Sequence, residues 1–385
     1  MSHVYFDHNA TTALDNSVLE AMLPWLSAQS GNPTSRHTFG RSARDAVEHA
    51  RAQVAEACGA YSSQVIFTSC GTEANNFAIK GMANHNPASQ ILTSAIEHPC
   101  VTRPALAMQA LGFISRQIAV DADGKVIIEN LKQQLAAPTS LVSVMLANNE
   151  TGVIQDIAAI AEMARATGAL MHTDAVQGLG KIPLNFADLN VHAMTISSHK
   201  IHGPQGAAAL ILDKRVDIEP LLLGGGQEKG LRSGTENVAA IIGFGAACEL
   251  AVAKQKNYAS HTLALRQQFE QGLTSINNTH NITVFGNKVA RLSNTSFFGF
   301  DNIEGETLVM ALDRKGYAVA SGSACSSDSS EPSHVLLSMG IDADTARGAV
   351  RVTFGTNNTA EQVASFLAIL NNELLRLKQL TAIAA

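Results

Sequence analysis

The chain is poor in aromatic residues: they make up 5% of its 385 residues, with a single tryptophan and four tyrosines. Few rings are therefore at hand for stacking against the bases of a single strand. Basic blocks are missing too. Lys and Arg number 27 against 33 Asp and Glu, a formal net charge of -6, so the electrostatic footprint of a nucleic-acid-binding protein is absent. Cysteine is scarce and irregularly placed, at Cys58, Cys70, Cys100, Cys248 and Cys325, with no CxxC pair. That pattern argues against a disulfide framework and against an intrinsic zinc or iron–sulfur cage, and it fits a reducing cytoplasm. The most apolar long window, 239–253, is interrupted by Glu249 and is too short to span a bilayer, so it reads as a buried helix. The opening "MSHVYFDHNATT" lacks the charged head and apolar stretch of a secretory signal. There is no GxxxxGK[ST] and no strand-linked GxGxxG; "GFGAAC" at 243–248 is a near-miss inside a helical pattern.

What is present is a hydrophobic content of 46%, ample for a sizeable core and more than one packing unit. Short apolar runs predict strands at 64–69, 90–97, 141–150, 169–175, 193–200 and 207–213, with helices at 72–85 and 157–168 between them. Strands alternating with helices imply crossover connections and a mostly parallel sheet, and in such sheets ligands bind at the rim beyond the strand ends. Past about residue 256 the texture changes. A helix is predicted at 260–276, strands at 292–300, 316–321 and 348–355, and a long amphipathic helix at 360–380. The expected fold class is α/β, a large α/β domain with a mostly parallel central sheet plus a smaller α+β domain.

Several polar residues fall just past those strand ends. Lys200, in "SSHKIHGPQG" (197–206), is flanked by Ser197, Ser198, His199 and His202; it is a surface lysine beside a turn, a bystander to a weak His199/His202 metal pair, or a Schiff-base lysine whose hydroxyl and imidazole neighbours could hold a phosphate. In "FTSCGTEANN" (67–76), Gly71 and Thr72 open a helix whose free N–H groups favour an anion, although Thr72 and Asn75 also make a weak capping pair. Asp174, just past a strand, is either a loop cap or a carboxylate facing a pyridine nitrogen. His98 follows a strand and could stack on a flat ring and move protons, or serve only a structural part. Asn149 offers an amide at another strand end. Arg351 lies in an apolar strand pattern and needs an anionic partner, either a carboxylate substrate or a structural ion pair.

Taken in order, "YFDHNATT" (5–12), "GNPTSRHTFG" (31–40), "FTSCGTEANN", "EHP", "NNETG", "HTDAVQ", "SSHKIHGPQG", "GGGQEKGLRSGTEN" (224–237), "SGSACSS", "EPSHVL" (331–336) and "VRVTFG" (350–355) resemble the cysteine desulfurases of the NifS and IscS type, class-V aminotransferases. The resemblance covers nearly the whole chain. It implies a pyridoxal 5'-phosphate-dependent transferase of fold type I, with a large cofactor-binding domain at 15–255 and a small domain formed by 1–14 and 256–385. It implies that Lys200 holds the cofactor, that His98 stacks on its ring and assists proton transfer, that Asp174 pairs with the ring nitrogen and that Gln177 contacts the ring hydroxyl. Gly71, Thr72, Ser197 and His199 would hold the phosphate. Thr235 would reach the phosphate of the other subunit's site, making a homodimer. Asn149 and Arg351 would bind L-cysteine, with Arg351 on its carboxylate. Cys325 would be the nucleophile that receives sulfur as a persulfide, and a transient ligand to an iron–sulfur cluster. An iron–sulfur scaffold or sulfur-relay protein would accept the sulfur, with no membrane and no nucleic acid directly involved.

Two features depart from the family's usual pattern: "TNNT" (356–359) stands where IscS-type enzymes commonly carry an arginine, and the C-terminal helix has no long tail. Cys325 sits in "SGSACSSDSSEP" (321–332), a small-residue stretch expected to be mobile over 324–331, with no Lys or Arg beside it to lower its pKa. The "RxGHHC" segment of SufS-type enzymes is absent. An aminotransferase of the same fold would need no cysteine here, and a non-catalytic adaptor would not need Lys200.

Overall fold

The computed structural model describes residues 3–84, 89–276, 281–300, 303–322 and 331–384. After a short strand β1 (Val4–Tyr5), seven strands build the large sheet: β2 (Val65–Thr68), β3 (Gln90–Ser94), β4 (Ile114–Ile118), β5 (Thr139–Ser143), β6 (Leu170–Asp174), β7 (Ala193–Ser197) and β8 (Ala208–Leu212). Their order is β2-β8-β7-β6-β5-β3-β4. The five from β7 to β4 run parallel, and β8 is antiparallel to both of its neighbours. The mostly parallel sheet is thus as expected.

Alternation along the strands shows why the apolar runs look continuous. Val65 and Phe67 of β2 join one core cluster, and Ile66 between them joins another; Ala209 and Ile211 of β8 divide from Leu210 and Leu212 in the same way. Successive side chains point to opposite faces, so both faces of the sheet are covered. Strand β4 is the exception and was not predicted. Its "ISRQI" lies on the open edge with Ser115, Arg116 and Gln117 partly or largely exposed, a polar edge that discourages pairing with other chains. The strand predicted at 141–150 stops at Ser143, and the chain beyond it leaves the ladder to build the ligand rim.

The later strands are β9 (Ile282–Val284), β10 (Thr295–Phe300), β11 (Tyr317–Ala318), β12 (Ala320–Ser321) and β13 (Val350–Thr353). Four of them form an antiparallel sheet in the order β12-β13-β10-β9, while β11 pairs in parallel with β1. Here the scarce aromatics are concentrated. Phe6, Phe269, Phe298, Phe354 and Phe366 share one buried cluster, with ring centroids 5.3 Å apart for Phe6 and Phe354 and 5.4 Å for Phe269 and Phe298. Edge-to-face and tilted rings of this kind add to the burial term.

The helix predicted at 260–276 is the second half of one 39-residue helix, Val238–Ile276. Its first half supplies Phe244, Ala247 and Cys248 to the core of the large sheet, and its second half supplies Leu265, Phe269 and Leu273 to the aromatic cluster. The boundary expected near residue 256 therefore falls inside a continuous helix. No buried residue occurs between Cys248 and Thr262, so no apolar periodicity carries the helical signal across the middle. By length and composition this helix could cross a membrane, but its apolar first half is packed in the core.

Candidate active site

The C-terminal ends of the parallel strands open into a cavity of about 380 Å³, lined by Asp7, Asn9, Ala10, Cys70, Gly71, Thr72, Asn75, His98, Cys100, Met145, Asn149, Asp174, Val176, Gln177, His199, Lys200 and Arg351. The volume lies in the range of small-molecule sites. Most of the residues singled out from sequence meet here. Ser197 lies just beneath as the last residue of β7, and Thr235 is exposed on a loop outside the cavity. Cys325 lies outside the described residues.

One corner is built for an anion. Helix Gly71–Ala83 begins after Cys70, an extended residue whose side chain makes no capping hydrogen bond. The Thr72–Asn75 cap read from sequence is therefore not formed: Cys70 holds the cap position, and the Asn75 amide turns inward to Asp174 and Cys100. The first-turn N–H groups have no side-chain cap. Beside them the Ser197 hydroxyl is buried with no partner among the described residues. A Cβ on Gly71 would lie 3.3 Å from Val176 Cγ2 and 3.8 Å from Ser197 Cβ, so glycine keeps the gap open. The His199 Nδ1 lies 3.2 Å from Thr11 Oγ1, and burial followed by the nearby Lys200 pushes its pKa down to about 4. These groups fit a phosphate, whose charge would draw the His199 pKa back up.

A second corner is built for a ring. Asp174 ends β6 and is buried; its Oδ2 accepts from Asn75 Nδ2 at 2.7 Å and its Oδ1 from the Val176 N–H at 3.0 Å. His98 caps helix Pro99–Ala107, its Nδ1 accepting the Cys100 N–H at 3.2 Å and lying 2.9 Å from Cys100 Sγ. An accepting Nδ1 leaves the ring proton on Nε2. Burial holds the His98 pKa below its ordinary value, against an opposing pull from Asp174. The neighbouring Glu97 is wholly buried: Oε1 accepts from Ser94 Oγ at 2.5 Å and from the Met145 N–H at 2.6 Å, and burial pushes its pKa up to about 8.

Lys200 ends a single 3-10 turn, Ser198–Lys200, directly after β7. Its Nζ donates to the carbonyls of Asn9 at 2.7 Å and Ala10 at 2.6 Å. Gly203 closes this turn, since a Cβ there would lie 2.1 Å from Ser198 Oγ. Facing it, Arg351 projects from β13 with 4% exposure. Its Nη2 meets Asp7 Oδ1 at 2.6 Å and its Nη1 donates to the Asn149 carbonyl at 3.0 Å, while Nε is buried without a partner among the described residues. The structural ion pair left open by the sequence exists, and a donor remains for a second anion. His199 and His202 bond separately to Thr11 and Ala13, and among the described residues no three His, Cys, Asp or Glu side chains gather as a metal site.

The sequence alone gave Asp7, Asn9 and Cys100 no part in the site, and Asn75 only a helix cap. Asn9 is the hub: its carbonyl accepts from Lys200 and Gln177, its Oδ1 from Lys181 and Asn294, and its Nδ2 donates to Thr295 and Asn149. The "YFDHNATT" motif that contains it was the available signal.

A lysine, a buried aspartate, a histidine and an anion corner around one cavity at the rim of a mostly parallel sheet define a pyridoxal 5'-phosphate-dependent enzyme of fold type I. The class-V aminotransferase family profile matches residues 4–366. Cysteine desulfurase 2 of Trichormus variabilis is 42% identical over 99% of this chain and 95% of its own length. Cysteine desulfurase IscS of Dictyoglomus turgidum is 41% identical over 98% of this chain and 96% of its own. A solved NifS-like protein superposes with a TM-score of 0.90 at 37% identity, covering 97% of this chain and 99% of its own. The chain belongs to the cysteine desulfurases of the class-V aminotransferase family.

Proposed function

We propose that this chain takes sulfur from L-cysteine, releases L-alanine and keeps the sulfur as a persulfide on Cys325. The observation that carries this reading is the convergence of Lys200, Asp174, His98 and Arg351 on one cavity. Bound pyridoxal 5'-phosphate supplies an electron sink at the substrate α-carbon. Gly71, Thr72, Ser197 and His199 would hold its phosphate, Asp174 would keep its ring nitrogen protonated, and Gln177 would meet its ring oxygen. Lys200 would anchor the cofactor and would carry the substrate α-proton. His98, with its proton on Nε2, would lie against the ring and assist that transfer. Arg351 takes the substrate carboxylate on its remaining donors, with Asn149 beside it. The Cys325 thiolate attacks the substrate sulfur: an S–S bond forms, the C–S bond breaks, and its electron pair and a proton go to the carbon that becomes the alanine methyl group.

The active form proposed is a homodimer in which Thr235 completes the partner's phosphate corner. Two facts support it: Thr235 stands outside its own cavity, and the preceding loop carries Leu222 and Leu223, the latter 85% exposed. The sulfur acceptor proposed is an iron–sulfur scaffold or sulfur-relay protein in the cytoplasm. The test is turnover of the holoenzyme with L-cysteine, followed by alanine assay and mass spectrometry of tryptic peptides. One alanine per transferred sulfur, with the extra sulfur on Cys325, is expected. Sulfur on Cys58, Cys70, Cys100 or Cys248 instead refutes the assignment.

A further inference from the structure

Lys181 has 4% exposure and lies beneath the cavity without lining it. Its place is set by a turn: Gly178 N–H bonds to Ala175 O, Ile182 N–H bonds to Gly178 O, and Gly180 adopts φ 73°. A side chain at Gly180 would meet Ala251 Cβ at 2.9 Å, besides the strain of positive φ. The turn brings Lys181 back under Gln177, four residues earlier. Lys181 Nζ donates to Gln177 Oε1 at 2.5 Å and to Asn9 Oδ1 at 2.8 Å. Gln177 Nε2 donates to the Asn9 carbonyl at 3.0 Å. The Asn9 amide is itself oriented, since its Nδ2 donates to Thr295 Oγ1 and Asn149 O while its Oδ1 also accepts from Asn294 Nδ2.

We propose that Lys181 is a positioning residue that fixes the Gln177 amide so that it can only donate into the cavity. Reversing that amide would set its nitrogen against the Lys181 donor and its oxygen against the Asn9 carbonyl, two mismatches at once in a buried place. The oxygen is thus consumed below, and of the two amide N–H groups one goes to Asn9 and the other is left for the cavity. The group this suits is an oxygen carrying negative charge, such as the ring oxygen of pyridoxal 5'-phosphate. Burial, with Lys200 and Arg351 nearby, also drives the Lys181 pKa down, so Lys181 acts here through its donors more than through a full charge.

The inference rests on the assignment of Gln177 to the ring oxygen, and the experiment separates the two. The visible absorption band of the bound cofactor is titrated with pH in wild type, Gln177→Leu, Lys181→Met and the double variant, with thermal melts of the apoproteins alongside. A donor at the ring oxygen favours the form in which that oxygen carries most charge, the deprotonated form of the lysine–cofactor linkage. Losing it should raise the midpoint by about one pH unit in each single variant. The double variant should shift no further than either single. An unshifted Gln177→Leu overturns the Gln177 assignment. A shifted Gln177→Leu with an unshifted Lys181→Met, or shifts that add in the double variant, overturns the role of Lys181 alone. A purely structural lysine would lower the melting temperature and leave the midpoint in place. If Lys181→Met does not fold, Lys181→Ala, which removes the same donor with less bulk, decides: a midpoint shifted as in Gln177→Leu supports the proposal, and one near wild type overturns it.

Discussion

Replacing Glu97 by glutamine should make the protein less sensitive to alkali. Glu97 sits between β3 and the cap residue His98, and its Oε1 ties that loop to the Met145 backbone across the site. Burial is the leading cause that raises its pKa from 4.5 to about 8, while the hydrogen bonds from Ser94 and Met145 oppose it and Asp174 adds to it. A raised carboxyl pKa means that the native state holds a proton the unfolded chain has released. Stability therefore falls as pH rises from about 4.5 towards 8, at about 1.4 kcal/mol per pH unit, an upper limit of about 5 kcal/mol in all. Glutamine matches the protonated acid in shape, keeps an oxygen for Ser94 and Met145, and does not titrate. Denaturant unfolding of the apoproteins at pH 5, 7 and 9 is the assay. At pH 5 the two proteins should differ by no more than about 1.5 kcal/mol, the value of one hydrogen bond. By pH 9 Glu97→Gln should have gained several kcal/mol relative to wild type. A difference that stays constant from pH 5 to pH 9 would refute the reasoning, because it would mean that Glu97 ionises in the native state as easily as in water.

Two further outcomes follow from the site. Lys200→Ala should remove the cofactor's visible band and its trapping by borohydride; a band that survives both would move the anchor to another lysine. Arg351→Ala should raise the Michaelis constant for L-cysteine by about 30-fold or more, from a loss of about 2–5 kcal/mol at a buried charge pair. An unchanged Michaelis constant would assign Arg351 to the Asp7 ion pair alone.

Much of this was legible because the chemistry is local in sequence. Asp174, Ser197 and Lys200 lie at or just past strands whose apolar runs are plain, and Gly71 opens a helix directly after another. What escaped is held by distant contacts. Asn75 reads as a helix-capping residue until the fold sets it 2.7 Å from Asp174, 99 residues away in sequence. Asn9 gains its place from Lys200, Lys181, Asn294 and Thr353, none of which lies near it in the chain. The polar edge strand β4 and the unburied middle of helix Val238–Ile276 escaped for the opposite reason, since neither carries the apolar period that pattern reading depends on.

The N-terminal segment has a consequence for biosynthesis. β1 pairs with Tyr317 and Ala318, Asn9 bonds to Thr353, and Asp7 pairs with Arg351, a separation of 344 residues. The N-terminal side of each pair thus waits for a partner made much later, after a delay on the order of half a minute at ordinary elongation rates. Once residue 212 is made the large sheet has all of its strands, but Asp7 still lacks Arg351 and the aromatic cluster lacks Phe354 and Phe366. Closure of so long a loop also slows folding in its own right. The nascent chain must keep "YFDHNATT" unengaged until residue 351 arrives, which makes this segment the point at which a chaperone, or an N-terminal fusion, would decide whether the site is ever completed.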